Sequence, residues 1–163
     1  MIVFLDFDGV LNAEKDLGDA FQLTYILSQE KIITLNRIPE VLPDVRFVLS
    51  TSWRKPAWSA AEDPDPRDSL REHGFIGKFH KDWRTPWHKD EIIRRENFNG
   101  RGWIRGDEIH TWLMNNNFTG SYAILDDCAD FHDDQPLVQT NAWLGLMSED
   151  IDRAIALLAG KKP

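Results

Sequence analysis

Ile2-Val3-Phe4-Leu5-Asp6-Phe7-Asp8-Gly9-Val10 is the stretch that decides the fold. Four apolar residues in succession, with no alternation, read as a strand buried on both faces, the kind that lies inside a parallel sheet. The run ends abruptly in acid. Asp6 and Asp8 therefore stand at the carboxyl end of that strand, the edge along which open α/β sheets bind ligands. Gly9 removes a side chain where the backbone must turn beside a substrate.

The same grammar continues outward. A helix is predicted from about Ser28 to Leu42, with Pro39 as a kink or early stop, followed through Pro43-Asp44 by an apolar strand at Phe47-Val48-Leu49. That strand ends in Ser50-Thr51-Ser52. From Lys55 to about Arg67 the chain is rich in Pro, Asp and Ala and reads as a loop or small insertion. Asp68 to His73 reads as a short helix stopped by Gly74, and Phe75 to His80 as a third strand. Trp83 to Asn99 carries no clear period. Asp107 to Asn116 reads as a helix with acids in its first turn and Ile109, Trp112 and Leu113 on one face. A strand at Tyr122–Leu125 runs into Asp126-Asp127. A weak strand at Leu137–Thr140 then precedes a helix over Ser148–Ala159 with Ser148 as N-cap and Gly160 beyond its end. Strands alternating with helices over short connections give an α/β fold with a mainly parallel sheet. The expected organisation is one domain over residues 1–163, with a small insertion around residues 55–100.

Composition sets the outer bounds. The chain has 163 residues, 42% of them hydrophobic, and a formal charge of -8, which describes a folded acidic protein and not a disordered one. Cys128 stands alone, so no internal disulfide is possible, and the N-terminus opens on a strand instead of a basic, apolar leader. A cytoplasmic setting is the expectation, and no apolar run reaches the roughly 20 residues that span a bilayer. The charge is uneven. Trp53 to Arg105 holds 12 basic and 9 acidic side chains, a locally positive segment suited either to a solvated surface or to the rim of an anion site.

Three apolar strands end in polar residues: Asp6/Asp8, Ser50/Thr51 and Asp126/Asp127. Grouped carboxylates raise one another's pKa unless a cation compensates, and an all-oxygen set suits a hard ion such as Mg²⁺. The chemistry that fits is phosphoryl transfer, where the protein positions the group and neutralises developing charge. Asp6 would attack phosphorus to form an aspartyl-phosphate. Asp8 would protonate the leaving oxygen and later take a proton from water. Thr51 or Ser50 would bond a phosphate oxygen, and Arg105 is the candidate cation. It lies just before a helix, where the macrodipole disfavours positive charge, so a nearby anion explains it better than helix stability does.

In this order, Asp6-Phe7-Asp8-Gly9-Val10, a hydroxyl after the second strand, a basic residue and Ile124-Leu125-Asp126-Asp127 resemble the haloacid dehalogenase (HAD) superfamily of phosphatases. Asp8-Gly9-Val10-Leu11-Asn12, Ser50-Thr51-Ser52-Trp53-Arg54 and Arg105-Gly106-Asp107-Glu108-Ile109 look further like the small HAD domains of RNA-repair proteins and phage-type nucleotide or polynucleotide phosphatases. The resemblance implies a three-layer, Rossmann-like sandwich with only small cap insertions. It implies Asp6 as nucleophile and Asp8 as acid/base. Mg²⁺ would be held by Asp6, the main chain at Asp8, and Asp126, with Asp127 or Asp130 in support. The family places a lysine where this chain offers Arg105; Lys89 is the reserve. Gly9, Arg54 and Lys89 are the expected substrate contacts, and the expected substrate is a nucleotide or a terminal phosphate of a nucleic acid.

Plainer readings stand beside these. Trp53, Trp58, Trp83, Trp87 and Trp103 could stack nucleobases, though such residues more often pack cores and loops. Cys128 has no activating base and reads as a small buried residue. The five histidines have no metal-type spacing, and Asp133 and Asp134 read as a solvated loop. Competing functions are a phosphatase of another small phosphometabolite, a phosphorylation-switched receiver, and a non-catalytic nucleic-acid or protein-binding module. The motif order counts against the receiver, and the presence of both Asp6 and Asp8 against the module.

Overall fold

The computed structural model describes residues 1–17, 26–54, 65–87, 91–93 and 104–160. Its elements are β1 (Ile2–Leu5), α1 (Glu14–Leu17), α2 (Gln29–Val41), β2 (Arg46–Leu49), α3 (Pro66–Glu72), β3 (Lys78–Arg84), α4 (Arg105–Asn115), β4 (Tyr122–Asp126), β5 (Leu137–Gln139) and α5 (Ser148–Leu158), with a 3₁₀ turn at Ser52–Arg54. The five strands form one sheet in the order β3-β2-β1-β4-β5, and each neighbouring pair is parallel.

β1 has sheet on both sides and helices over both faces, which is why its four residues are all apolar. Val3 and Leu5 point into a core with Ile32, Leu35 and Ile38 of α2 and Ile151, Ala154 and Leu158 of α5. Ile2 and Phe4 point the other way, toward Ile109 and Trp112 of α4. Phe4 meets the Trp112 ring edge-on at 5.3 Å. The result is the three-layer α/β sandwich that the resemblance implied. Each large side chain buried in this way contributes roughly 1.5–3 kcal/mol.

Register positions the site. Leu5 pairs with Leu49 on one side and with Leu125 on the other, so Asp6, Ser50 and Asp126 follow at one level on three adjacent strands. Ser50 N–H donates to the Leu5 carbonyl at 2.8 Å and Asp6 N–H to the Leu125 carbonyl at 3.0 Å, which extends the pairing to the acids themselves.

Several boundaries differ from expectation. The third strand is Lys78–Arg84 and not Phe75–His80, because Phe75 is used to plug the end of α3: its N–H donates to the Leu70 carbonyl and its ring meets Phe47 edge-on at 4.9 Å. Residues 65–87 of the expected insertion thus supply α3 and a sheet strand, while 55–64, 88–90 and 94–100 lie outside the described residues. Pro39 does not stop α2, which runs on to Val41 with the proline inside it. Ser148 is the first residue of α5, and Met147 occupies the N-cap position, its N–H bonded to the Asp150 carboxylate at 2.9 Å. α4 begins at Arg105, two residues earlier than expected.

Candidate active site

Asp6, Ser50, Thr51 and Asp126 are each at most 1% exposed at the carboxyl ends of β1, β2 and β4. Asp6 Oδ1 accepts the Phe7 N–H at 2.7 Å, and Asp126 Oδ1 accepts the Cys128 N–H at 2.9 Å. The remaining oxygen of each acid faces the same donor: Arg105 Nη1 lies 2.5 Å from both Asp6 Oδ2 and Asp126 Oδ2, and 3.0 Å from the Ser50 carbonyl. The anions that explain a cation on the first turn of α4 are thus these two aspartates.

The electrostatics follow from burial. Desolvation lifts the Asp6 carboxyl above the usual carboxylate range, with Arg105 and hydrogen bonds from Phe7 and Thr51 pulling it partly back. Asp126 is lifted further, by desolvation first and then by the charge of Asp6. Burial works against the Arg105 charge, yet the two carboxylates hold that guanidinium even more firmly protonated than usual. Two buried carboxylates share one cationic atom.

Asp8 sits apart from that bridge. Its Oδ1 accepts Asn12 Nδ2 at 2.8 Å and Trp53 Nε1 at 3.1 Å; its Oδ2 accepts the same indole N–H at 3.0 Å and the Ser52 hydroxyl at 3.4 Å. Asn12 is fixed in turn by the Gly9 N–H, which donates to its Oδ1 at 3.0 Å. Gly9 has φ +68°, and Thr140 Oγ1 donates to its carbonyl at 2.9 Å. Thr51 bonds Asp6, and its hydroxyl accepts the Trp53 backbone N–H at 3.4 Å, whereas the buried Ser50 hydroxyl has no hydrogen-bond partner among the described residues.

A clasp holds α4 in place. Asp107 Oδ1 meets His132 Nε2 at 2.8 Å, Gln135 Nε2 donates to the Gly106 carbonyl at 2.9 Å, and Asp130 accepts the Arg105 N–H on its carboxylate and the Gly106 N–H on its carbonyl. The approach is so close that a Cβ on Gly106 would lie 2.5 Å from Gln135 Oε1 and 3.0 Å from the His132 backbone nitrogen.

Of the candidates named from sequence, Asp6, Asp126, Thr51, Ser50 and Arg105 come together, and Asp8 and Gly9 stand beside them. Asp127 lies behind Gly9, with a carboxylate oxygen in a group with Asp126 and the Cys128 thiol that spans less than 4.8 Å. The Arg54 side chain and Lys89 lie outside the described residues, as do Trp58 and Trp103. Cys128 is exposed and not buried, on a turn closed by its N–H on the Asp126 carboxylate; partial desolvation of the thiol, with the charges of Asp126 and Asp127, pushes it up to about 12, which disfavours the thiolate nucleophile. Trp83 packs under the Arg67 guanidinium at 4.2 Å, and Trp87 lines a cleft of 250 Å³ beyond β3 with Arg84 and Trp112. Asn12, Trp53, His132 and Gln135 were not assigned these roles from sequence. Asn12 and Trp53 do fall inside the quoted motifs, which is the one signal that could have marked them.

The donor set fits a hard divalent cation: all-oxygen acids, buried, with raised proton affinity and the Arg105 guanidinium between them. Among the described residues no helix is long and apolar enough to cross a membrane.

A family model for the HAD domain in Swiss Army Knife RNA repair proteins matches residues 2–151. No curated protein and no solved structure matches the chain.

Proposed function

This chain belongs to the family of HAD domains in Swiss Army Knife RNA repair proteins, and from that premise we propose that it is a Mg²⁺-dependent phosphomonoesterase acting on a terminal phosphate of a nucleic acid or on a nucleotide. The observation that carries the reading is the convergence of buried Asp6 and Asp126 on one cationic atom at the aligned ends of β1 and β4. A site that gathers this much negative charge around a cation is suited to a dianionic phosphoryl group only with further positive charge. Mg²⁺, held by Asp6, Asp126 and the main chain at Asp8, would supply that charge.

In this reading an Asp6 oxygen forms a bond to phosphorus as the ester P–O bond breaks. A proton carried on Asp8 passes to the departing oxygen. Water then attacks the aspartyl-phosphate, gives its proton to Asp8 and releases inorganic phosphate, which restores both acids. Arg105 and the Thr51 hydroxyl bind phosphoryl oxygens, and the clasp through Asp107 and His132 keeps Arg105 at that station. The preference for polynucleotide ends rests on the family and on the net positive charge of the segment from Trp53 to Arg105. A reducing, cytoplasmic setting accords with the lone cysteine.

The test is phosphate release from mononucleotides, sugar phosphates and 5′- or 3′-phosphorylated oligonucleotides, with Mg²⁺ and with chelator. Asp6→Asn should abolish turnover and leave the melting temperature within a few degrees of wild type. A mutant that retains near-normal turnover removes Asp6 as nucleophile, and a preference for sugar phosphates removes the nucleic-acid substrate.

A further inference from the structure

The indole N–H of Trp53 is 3.1 and 3.0 Å from the two oxygens of Asp8, so one donor straddles the whole carboxyl group. Trp53 is itself anchored: it lies in the 3₁₀ turn immediately after β2, its ring meets the fully buried Phe7 edge-on at 5.0 Å, and its backbone N–H is tied to Thr51 Oγ1. Asn12 Nδ2 donates to Oδ1 of the same carboxyl at 2.8 Å. Asp8 is only partly buried, on a loop past the end of its strand, and a side chain so placed has rotamers to choose from. Two anchored donors remove that choice.

Resting on the phosphatase reading, we propose that Trp53 is a positioning residue: its N–H fixes the Asp8 carboxyl in the orientation from which it hands its proton to the leaving oxygen. The step is the one already written, with the Asp6–P bond forming, the P–O ester bond breaking and the Asp8 proton passing to the departing alkoxide. Trp53 donates one hydrogen bond throughout and is neither consumed nor ionised. The alternative is a staple, in which Trp53 merely packs the turn after β2 against the loop after β1.

The two differ in how the leaving group matters. General-acid assistance is needed for an alkoxide and hardly at all for a good leaving group such as dinitrophenolate. Trp53→Phe keeps an aromatic ring on Phe7 and deletes the N–H; replacement by 3-benzothienylalanine deletes it with the bicyclic shape retained. For both, kcat/KM should fall about 10-fold or more on alkyl phosphates, including a ribonucleotide 3′- or 5′-phosphate, and less than about 3-fold on dinitrophenyl phosphate, in the range expected for a misaligned acid. Asp8→Asn should show the same split more strongly, and Asp8→Asn combined with Trp53→Phe should be no slower than Asp8→Asn alone, because no acid is left to orient.

Equal losses on the two substrate classes, or full additivity in the double mutant, would assign Trp53 to packing and overturn the proposal. So would an unchanged alkyl-phosphate rate in the benzothienyl variant, which answers the question even if Trp53→Phe unfolds. A wild-type chain that hydrolyses neither ester with Mg²⁺ would bring down the phosphatase reading, and the Trp53 assignment with it; an active wild type with equal losses brings down the assignment alone.

Discussion

A Cβ placed on Gly9 would lie 2.5 Å from the carboxyl carbon of Asp127, so the turn after β1 and the acid pair after β4 are packed without room for a methyl group. The glycine does more than clear space for substrate. It lets the first and last chemical motifs of the chain touch.

Gly9→Ala is therefore expected to do two separable things. The left-handed backbone, φ +68°, costs an alanine about 1–2 kcal/mol, which lowers the melting temperature by about 2–8 °C. Displacement of Asp127, and with it the turn that carries Asp8, lowers turnover beyond what the lost stability explains. Calorimetry and phosphate release on the same preparation check this, and wild-type values in both would show that the loop yields freely.

Arg105→Ala should move metal affinity and rate in opposite directions. The guanidinium occupies Oδ2 of both Asp6 and Asp126, so its removal leaves two carboxylates facing one another without their one ion-pair partner among the described residues. A divalent ion then binds at least several-fold more tightly, because a competing positive charge is gone. Turnover at saturating Mg²⁺ still falls by roughly 10²-fold or more, for want of a donor on the transferring phosphoryl group. Titration calorimetry reads the first and steady-state kinetics the second. Unchanged or weaker Mg²⁺ binding would mean that metal and guanidinium do not share these oxygens.

Stability of the chelated protein should fall as pH rises. Burial lifts Asp6 to about 6 and Asp126, which also feels the Asp6 charge, to about 8, from an ordinary 3.8. With native values above the unfolded ones, the native state holds the extra protons. The pair's contribution is complete below the unfolded value and is lost as pH climbs through 6 and on through 8. Mg²⁺ takes over from those protons, so the rise in melting temperature on adding Mg²⁺ should grow steadily between pH 5.5 and 8.5. A metal-induced shift of constant size across that range would contradict the assignment of the ion to this pair.

What the sequence made legible was whatever depends on short, fully buried segments. β1, β2 and β4 are apolar on every residue or nearly so, and the acids that end them are visible by contrast with what precedes them. Arg105 was visible for a similar reason, as a charge out of place beside a helix start. β3 was shifted because an edge strand, half exposed, alternates charge with aromatics and so hides its boundaries. The roles of Trp53, Asn12, His132 and Gln135 depend on which loops meet across the sheet. Nothing local in Trp53 announces a carboxylate 45 residues earlier. Cys128 was misjudged because it follows directly on a strand buried at nearly every residue, yet lies past that strand's end in a turn closed by its own N–H on the Asp126 carboxylate, which leaves it exposed.

The strand order has a consequence for how the chain comes into being. β1 is made first and lies in the middle of the sheet, yet one of its two neighbours, β4, follows some 120 residues later. At about 5–20 residues per second of ribosomal synthesis, Ile2 to Leu5 wait roughly 6–24 s with one backbone edge unpaired. During that interval Asp6 has no partner acid, and a nascent chain stalled before Tyr122 presents the unpaired N–H and C=O groups of a strand with wholly apolar side chains to its neighbours on the same message.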